Sequence, residues 1–361
     1  MTRRQKLLLR GGYDGTETEE GSVPSVSETA GSLICIFLRS CVVYVFMKAF
    51  VDGEWGEYEA TNESGEFERA TTSFRSWIGE DDRFPAEEGR YHLYVSYACP
   101  WAHRTLITRR LRGLQGTVSV DIVDPWRGEG GWRFSPEKDG CTHDSVNGAE
   151  YLRELYLKAD EDYTGRVTVP VLWDKKRGTI VNNESREVMR ILNTRFEAYA
   201  NDGTLLPDGR EEEVDGVLDE IYEPINNGVY RAGFAKGQEA YDEAVDELFN
   251  ALDRWDDVLA DQRYLVGDEL TEADVAMFTT LVRFDHVYHT HFKCNVRRVR
   301  DYDNLWGYLR DVYQTEGIAA TVNLDHIKEH YYTTHPDVNP TGIVARGPPP
   351  RFDEPHDRDR L

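Results

Sequence analysis

The chain has 361 residues, 40% of them hydrophobic and 12% aromatic, which allows two folded domains and is not the composition of a disordered protein. Acidic residues outnumber basic ones 66 to 42, for a formal net charge of -24, and such a surface excludes a general affinity for nucleic acid or an anionic membrane. The five cysteines, at positions 35, 41, 99, 141 and 294, form no CxxC pair and no tight even spacing, so they indicate neither a disulfide framework nor a zinc ribbon and fit a reducing cytoplasm.

Residues 1–46 differ from the rest. A basic start (Arg3, Arg4, Lys6) leads through a Gly/Ser/Thr/Glu stretch to two short apolar runs, Leu33–Leu38 and Cys41–Phe46, with Arg39 between them. Together these fall short of the roughly 20 apolar residues that span a bilayer. They also lie too far from the basic start for a signal peptide. The expectation is a spurious or disordered N-terminal extension, with Met47 as the true start. Residues 47–88 are polar and glycine-rich with isolated aromatics and read as an extended arm.

From Arg90 the pattern is regular. Tyr91–Ser96 is a β-branched and aromatic run that predicts a strand. A helical pattern follows Cys99-Pro100 through Leu106, Ile107 and Leu111 and stops near Gly113. Thr117–Val123 predicts a second strand. A long loop, 124–148, carries Trp126, Gly130, Gly131 and Trp132. A helix is expected around Tyr151–Tyr156. Val167–Trp173 predicts a strand interrupted by Pro170, Thr179–Val181 a fourth strand, and Glu184 opens a helix. Strand–helix–strand–helix–strand–strand–helix is the thioredoxin-like order, assigned to residues 89–200. Beyond Leu205 only helical periodicity remains, at 210–232, 237–261, 271–286 and 303–316. Thr271 is expected to cap the third of these. This is an all-helical domain over 201–332, followed by an irregular tail, 333–361.

Three features carry chemistry. Cys99 falls where a strand passes into a helix, and Pro100 suits the first helical position because its missing N–H is not needed there. A sulfur at that point faces unpaired backbone N–H groups and the positive end of the helix dipole, both of which favour the nucleophilic thiolate. His103 and Arg104 are expected to add positive charge one turn on. Pro170 cannot join a central ladder, and an X-Pro bond held cis there would turn the backbone of Val169 towards a thiol peptide. Glu184 and Ser185 put a carboxylate and a hydroxyl at a helix start, able to hold the ammonium and carboxylate of a γ-glutamyl group.

Tyr97-Ala98-Cys99-Pro100-Trp101-Ala102-His103-Arg104, Arg166–Trp173 and Asn182-Asn183-Glu184-Ser185 together resemble the glutathionyl-hydroquinone reductases, the Xi class of glutathione transferases. Asn226–Tyr230, Arg283-Phe284-Asp285, His291–Asn295 and His326–Tyr332 extend the resemblance across about residues 50–346 in the same order. It implies the glutathione transferase fold, an α/β thioredoxin-like N-terminal domain followed by an all-α C-terminal domain. It implies Cys99 as nucleophile and Trp132, Arg166, Val169, Glu184 and Ser185 as the thiol-peptide site. Tyr230, Tyr288 and Tyr331 would line the quinone pocket, with Tyr230 and Tyr331 acting on the ring. The co-substrate would be glutathione or γ-glutamylcysteine, with no metal, and the protein a homodimer.

The surface charge adds a separate expectation. Only nine of the basic residues are lysines. An acidic, lysine-poor shell suits a halophilic archaeon's molar salt, where a Debye length of about 3 Å screens its self-repulsion. Other readings are an omega-like thiol transferase or dehalogenase-type reductase, a conventional conjugating transferase, a non-catalytic thiol-binding protein, or a zinc site at His286, His289, His291 and Cys294.

Overall fold

A computed structural model describes residues 46–59, 66 and 71–361. The expected N-terminal extension lies outside these residues, apart from Phe46. Among the described residues no helix is long and apolar enough to cross a membrane.

The described chain starts as a β-hairpin, β1 (Phe46–Val51) and β2 (Glu54–Glu59), where an extended arm was expected. Asp52 and Gly53 both take positive φ, 49° and 76°, as a two-residue primed turn requires. Asp-Gly between alternating residues is a strong short-range hairpin signal, outweighed in the sequence reading by polarity. The hairpin is anchored by paired backbone bonds between Phe50 and Gly165, both 2.9 Å, and Phe50 enters the core.

The main sheet has the order β4-β3-β5-β6, with β3 Tyr91–Val95, β4 Val118–Ile122, β5 Val171–Asp174 and β6 Thr179–Asn182. β3 runs parallel to β4 and antiparallel to β5, and β6 closes an antiparallel hairpin on β5. Every residue of β3 is buried, which explains its continuous rather than alternating apolar pattern. Helix α1 (Pro100–Leu111) packs on α3 (Ser185–Thr194), and α2 (Leu152–Ala159) lies against β6.

The helical half comprises α4 (Glu211–Ile221), α5 (Gly228–Phe234), α6 (Gln238–Val258), α7 (Glu272–Arg283), the short α8 (His289–His291), α9 (Leu305–Gln314) and α10 (Leu324–Thr334). α4 reaches α5 through a wide π turn, Tyr222–Asn227, that contains Pro224. Proline lacks the helical N–H and its ring crowds the carbonyl one turn back, so the wider turn relieves both conflicts. A second π turn, Phe284–Tyr288, follows α7. α10 lies beyond the predicted helices; its His/Tyr-rich sequence has little aliphatic periodicity. The tail beyond it is irregular but docked. Phe352 is buried, and the fully buried Arg358 donates to the carbonyls of Leu259, at 2.6 Å, and Arg263, at 3.0 Å.

The start of α7 is capped as expected at Thr271, with Asp274 as the principal acceptor. Its fully buried carboxylate accepts from the backbone N–H of Leu265 and Thr271, each at 2.8 Å, the Thr271 hydroxyl at 2.9 Å and the Tyr308 hydroxyl at 3.0 Å. Asp274→Ala strands these buried donors and is expected to cost about 3 kcal/mol in urea unfolding. A loss under about 1 kcal/mol would contradict this.

Candidate active site

Cys99 is the N-cap of α1. Its backbone is extended (φ -79°, ψ 121°), Pro100 occupies the first helical position, and the Cys99 carbonyl accepts the first intrahelical bond from His103 N–H at 3.0 Å. The half-buried thiol lies 3.6 Å from the Val169 carbonyl, and the Val169–Pro170 bond is cis. The turn before Cys99 is clamped from the helical half. Arg283, fully buried in α7, donates to the carbonyls of Tyr97 and Ala98, both at 2.9 Å. The loop opposite is held by Tyr156, whose hydroxyl donates to the Thr168 carbonyl at 2.8 Å and accepts from Asn183 at 3.1 Å.

β6 ends at Asn182, whose side-chain oxygen accepts the Glu184 N–H at 2.8 Å and turns the chain into α3. Glu184 caps that helix. Its carboxylate accepts from the Arg186 N–H at 3.4 Å and the Thr72 hydroxyl at 3.3 Å. These elements border an open cavity whose walls include Cys99, Trp132, Arg166, Val169, Glu184, Ser185, Tyr230 and Tyr331. Eight of the nine residues named from the sequence thus share one space.

Tyr288 is the exception. It is fully buried and stands behind Tyr331, hydroxyl to hydroxyl at 3.0 Å, so it supports the wall rather than forming it. Tyr331 is bonded on its other side to the Tyr230 hydroxyl at 2.5 Å. Burial holds the pKa values of Tyr331 and Tyr288 well above the usual phenol range, so these hydroxyls stay protonated near neutrality.

His103 supplies no charge to Cys99, against expectation. It is buried between Arg283, whose Nη1 donates to its Nδ1 at 3.1 Å, and the Thr321 hydroxyl, 2.8 Å from its Nε2. Burial and that guanidinium push its pKa well below the usual value, and an Nδ1 that accepts a bond belongs to a neutral ring. Arg104 does keep its charge. Burial lowers its pKa only to about 10, its guanidinium lies 4.5 Å from the centre of the Trp101 ring, and it bonds to Asn226 at 2.6 Å.

The sequence reading missed other wall residues: Arg127, Thr72, Phe234, His330 and His335. Arg127 lies over the Trp132 ring at 5.6 Å; burial lowers its pKa from the usual guanidinium value, and the charge of a Cys99 thiolate opposes that shift. Its only sequence signal was its place between Trp126 and Trp132 in a loop without periodicity. His330 stacks on Trp132 at 5.1 Å and donates to the Pro125 carbonyl at 2.6 Å. Burial drives its pKa down to about 3. The buried Trp132 indole N–H has no hydrogen-bond partner among the described residues.

The four residues of the zinc alternative do not converge. Cys294 is buried with its sulfur 3.9 Å from the Val229 carbonyl, and His291 packs on Phe292 and Tyr332. Among the described residues no three His, Cys, Asp or Glu side chains gather to hold a metal.

Residues 98–195 match the glutathione S-transferase N-terminal domain and residues 238–311 its C-terminal domain. The Escherichia coli glutathionyl-hydroquinone reductase YqjG is 51% identical over 324 residues, spanning 87% of this chain and 99% of that protein. The Sphingobium chlorophenolicum glutathionyl-hydroquinone reductase PcpF is 50% identical, spanning 84% and 96%. Among solved structures, the Xi class GST from Natrialba magadii is similar at 64% identity with a TM-score of 0.83, spanning 88% of this chain and 98% of that one. The glutathione-bound YqjG structure gives 50% identity and a TM-score of 0.80, spanning 87% and 100%.

Proposed function

The chain belongs to the glutathione S-transferase family, in the Xi class with the glutathionyl-hydroquinone reductases, and from this we propose that it reduces glutathionyl-hydroquinones through a mixed disulfide on Cys99. The observation that carries the reading is one cavity in which a helix-capping sulfur stands with the Glu184–Ser185 helix start and a pair of phenols.

The Cys99 thiolate attacks the thiol-peptide sulfur of the conjugate. A sulfur–sulfur bond forms and the carbon–sulfur bond breaks. The ring reacts as its keto tautomer, in which a proton relayed through the Tyr230–Tyr331 pair has been added to the sulfur-bearing carbon and a ring hydroxyl has given one up. The pair from the broken bond therefore passes through the ring onto that oxygen, which takes a proton and leaves the aromatic hydroquinone with its new C–H. A second thiolate then attacks the peptide sulfur of the mixed disulfide and expels Cys99 as thiolate. Each turnover consumes one conjugate and one thiol and yields one hydroquinone and one peptide disulfide.

Glu184 receives the γ-glutamyl ammonium, and Ser185 with the first N–H groups of α3 receives its carboxylate. The backbone of Val169 pairs with the cysteinyl unit. Arg166 and the Trp132 indole N–H complete the site. The γ-glutamyl contacts are the same for glutathione and γ-glutamylcysteine. The first test is stoichiometry: purified enzyme with conjugate and glutathione should release hydroquinone and oxidised glutathione one to one. Hydroquinone release that needs no free thiol over many turnovers would refute the proposal.

A conventional conjugating role is disfavoured because a nucleophilic sulfur at the helix cap captures the bound thiol as a disulfide. The cycle consumes free thiol, which suits a reducing cytoplasm. We further propose a homodimer, against which a monomer in sedimentation at micromolar concentration would count. The charge of -24 is read as adaptation to molar salt, so the thermal midpoint should rise as KCl is added. A midpoint that falls would count against it.

A further inference from the structure

The loop Trp126–Trp132 is more elaborate than a single stacking tryptophan needs. Its glycines let rings lie against the backbone: a Cβ on Gly128 would meet the Trp126 ring at 2.5 Å, and one on Gly130 the Tyr151 ring at 2.3 Å. The Trp55 indole N–H donates to the Glu129 carbonyl at 2.8 Å and brings a third ring to the same place. These aromatics edge a second groove that meets the Cys99 cavity along Arg127, Phe234 and His335. Two cations in this wall, Arg127 and Lys236, face no paired carboxylate among the described residues, although the chain as a whole is strongly acidic. The other two, Lys48 and Arg133, are matched by Glu57 and Glu129 and by Glu137 and Glu150.

We propose that this groove receives the second thiol peptide, the one that resolves the Cys99 mixed disulfide. The inference rests on the mixed-disulfide reading. When that intermediate stands, the first peptide still occupies Glu184 and Ser185, so its resolving partner cannot use them. The partner must approach from the side vacated by the hydroquinone, where the cavity opens past Arg127. A γ-glutamyl thiol carries two carboxylates; Lys236 is in no ion pair among the described residues, and Arg127 no longer faces a Cys99 thiolate once that sulfur is held in the disulfide. The aromatic surface leaves room for the peptide backbone. In this step the incoming thiolate bonds to the peptide sulfur, the bond to Cys99 breaks, and Cys99 keeps the electron pair.

The test separates the half-reactions. Wild type and Lys236→Glu are loaded with one equivalent of glutathionyl-hydroquinone and then mixed, at the lowest salt that keeps them folded, with glutathione or with uncharged 2-mercaptoethanol. For Lys236→Glu the glutathione concentration giving half-maximal resolution should rise about tenfold. The initial burst of hydroquinone and the resolution by 2-mercaptoethanol should stay within about twofold of wild type. Equal effects on both thiols, no effect on either, or a slowed burst would overturn the groove assignment. A wild type that forms no mixed disulfide would remove the underlying reading as well.

Discussion

Cys99→Ser is expected to lower turnover of a glutathionyl-hydroquinone by about 10⁴-fold or more, the scale seen when a covalent nucleophile is removed. The substitution is nearly isosteric at a helix cap, and a serine hydroxyl can still donate to the Val169 carbonyl that the thiol now faces at 3.6 Å. The fold should therefore persist, with unchanged circular dichroism and retained binding of glutathione. What the alcohol lacks is twofold. Its proton is held too tightly for the helix terminus and the Arg104 and Arg127 charges to yield an appreciable alkoxide at neutral pH. It also has no sulfur with which to form the disulfide. Residual activity above about one hundredth of wild type would place the chemistry elsewhere.

The second large effect is expected at Tyr331. Tyr331→Phe removes the hydroxyl that bridges Tyr230 and Tyr288, at 2.5 and 3.0 Å. Turnover should fall about 100- to 1000-fold, the range for a positioned acid or an electrostatic donor. The loss should fall mainly on kcat, because the hydroxyl matters most as the ring takes up the electron pair. Stability should drop as well, by about 1–2 kcal/mol, since the Tyr288 hydroxyl is left buried without that partner. Tyr230→Phe should cost less stability, because Tyr230 lies at the cavity face. The double variant should be far from additive, since the two phenols act as one bonded unit. An unchanged kcat in Tyr331→Phe would reduce both tyrosines to packing.

How far the sequence carried these conclusions depended on the kind of signal. The succession of strands and helices was legible because β3, β4, β5 and β6 are compact apolar runs alternating with helical periodicity, whereas the spatial order β4-β3-β5-β6 came from the structure. Cys99, Val169, Glu184 and Ser185 were legible from chemistry, since a Cys-Pro at a strand end, a proline inside a strand and an acid-hydroxyl helix start each have a physical reason. The tyrosines came only from resemblance, and that resemblance could not tell Tyr331, in the wall, from Tyr288, one hydroxyl behind it.

The charge on His103 was misjudged because position along a helix does not reveal a buried guanidinium arriving from 180 residues away. Arg127 was missed for a related reason. Its loop lacks a period, and only the folded loop stacks it on Trp132 and brings it towards Cys99. The opening hairpin is marked in the sequence only by Asp52-Gly53, a two-residue turn signal set within a polar, glycine-rich stretch that otherwise has the composition of an extended arm.

The most direct test of the central claim is a thiol-free single turnover. Enzyme is mixed with excess glutathionyl-hydroquinone and no free thiol, and released hydroquinone and the mass of the Cys99 peptide are followed together. The account predicts one hydroquinone per active site, after which release stops, with one glutathione joined to Cys99 by a reducible bond. Hydroquinone release with Cys99 unmodified, or glutathione attached to Cys141 or Cys294 instead, would contradict it.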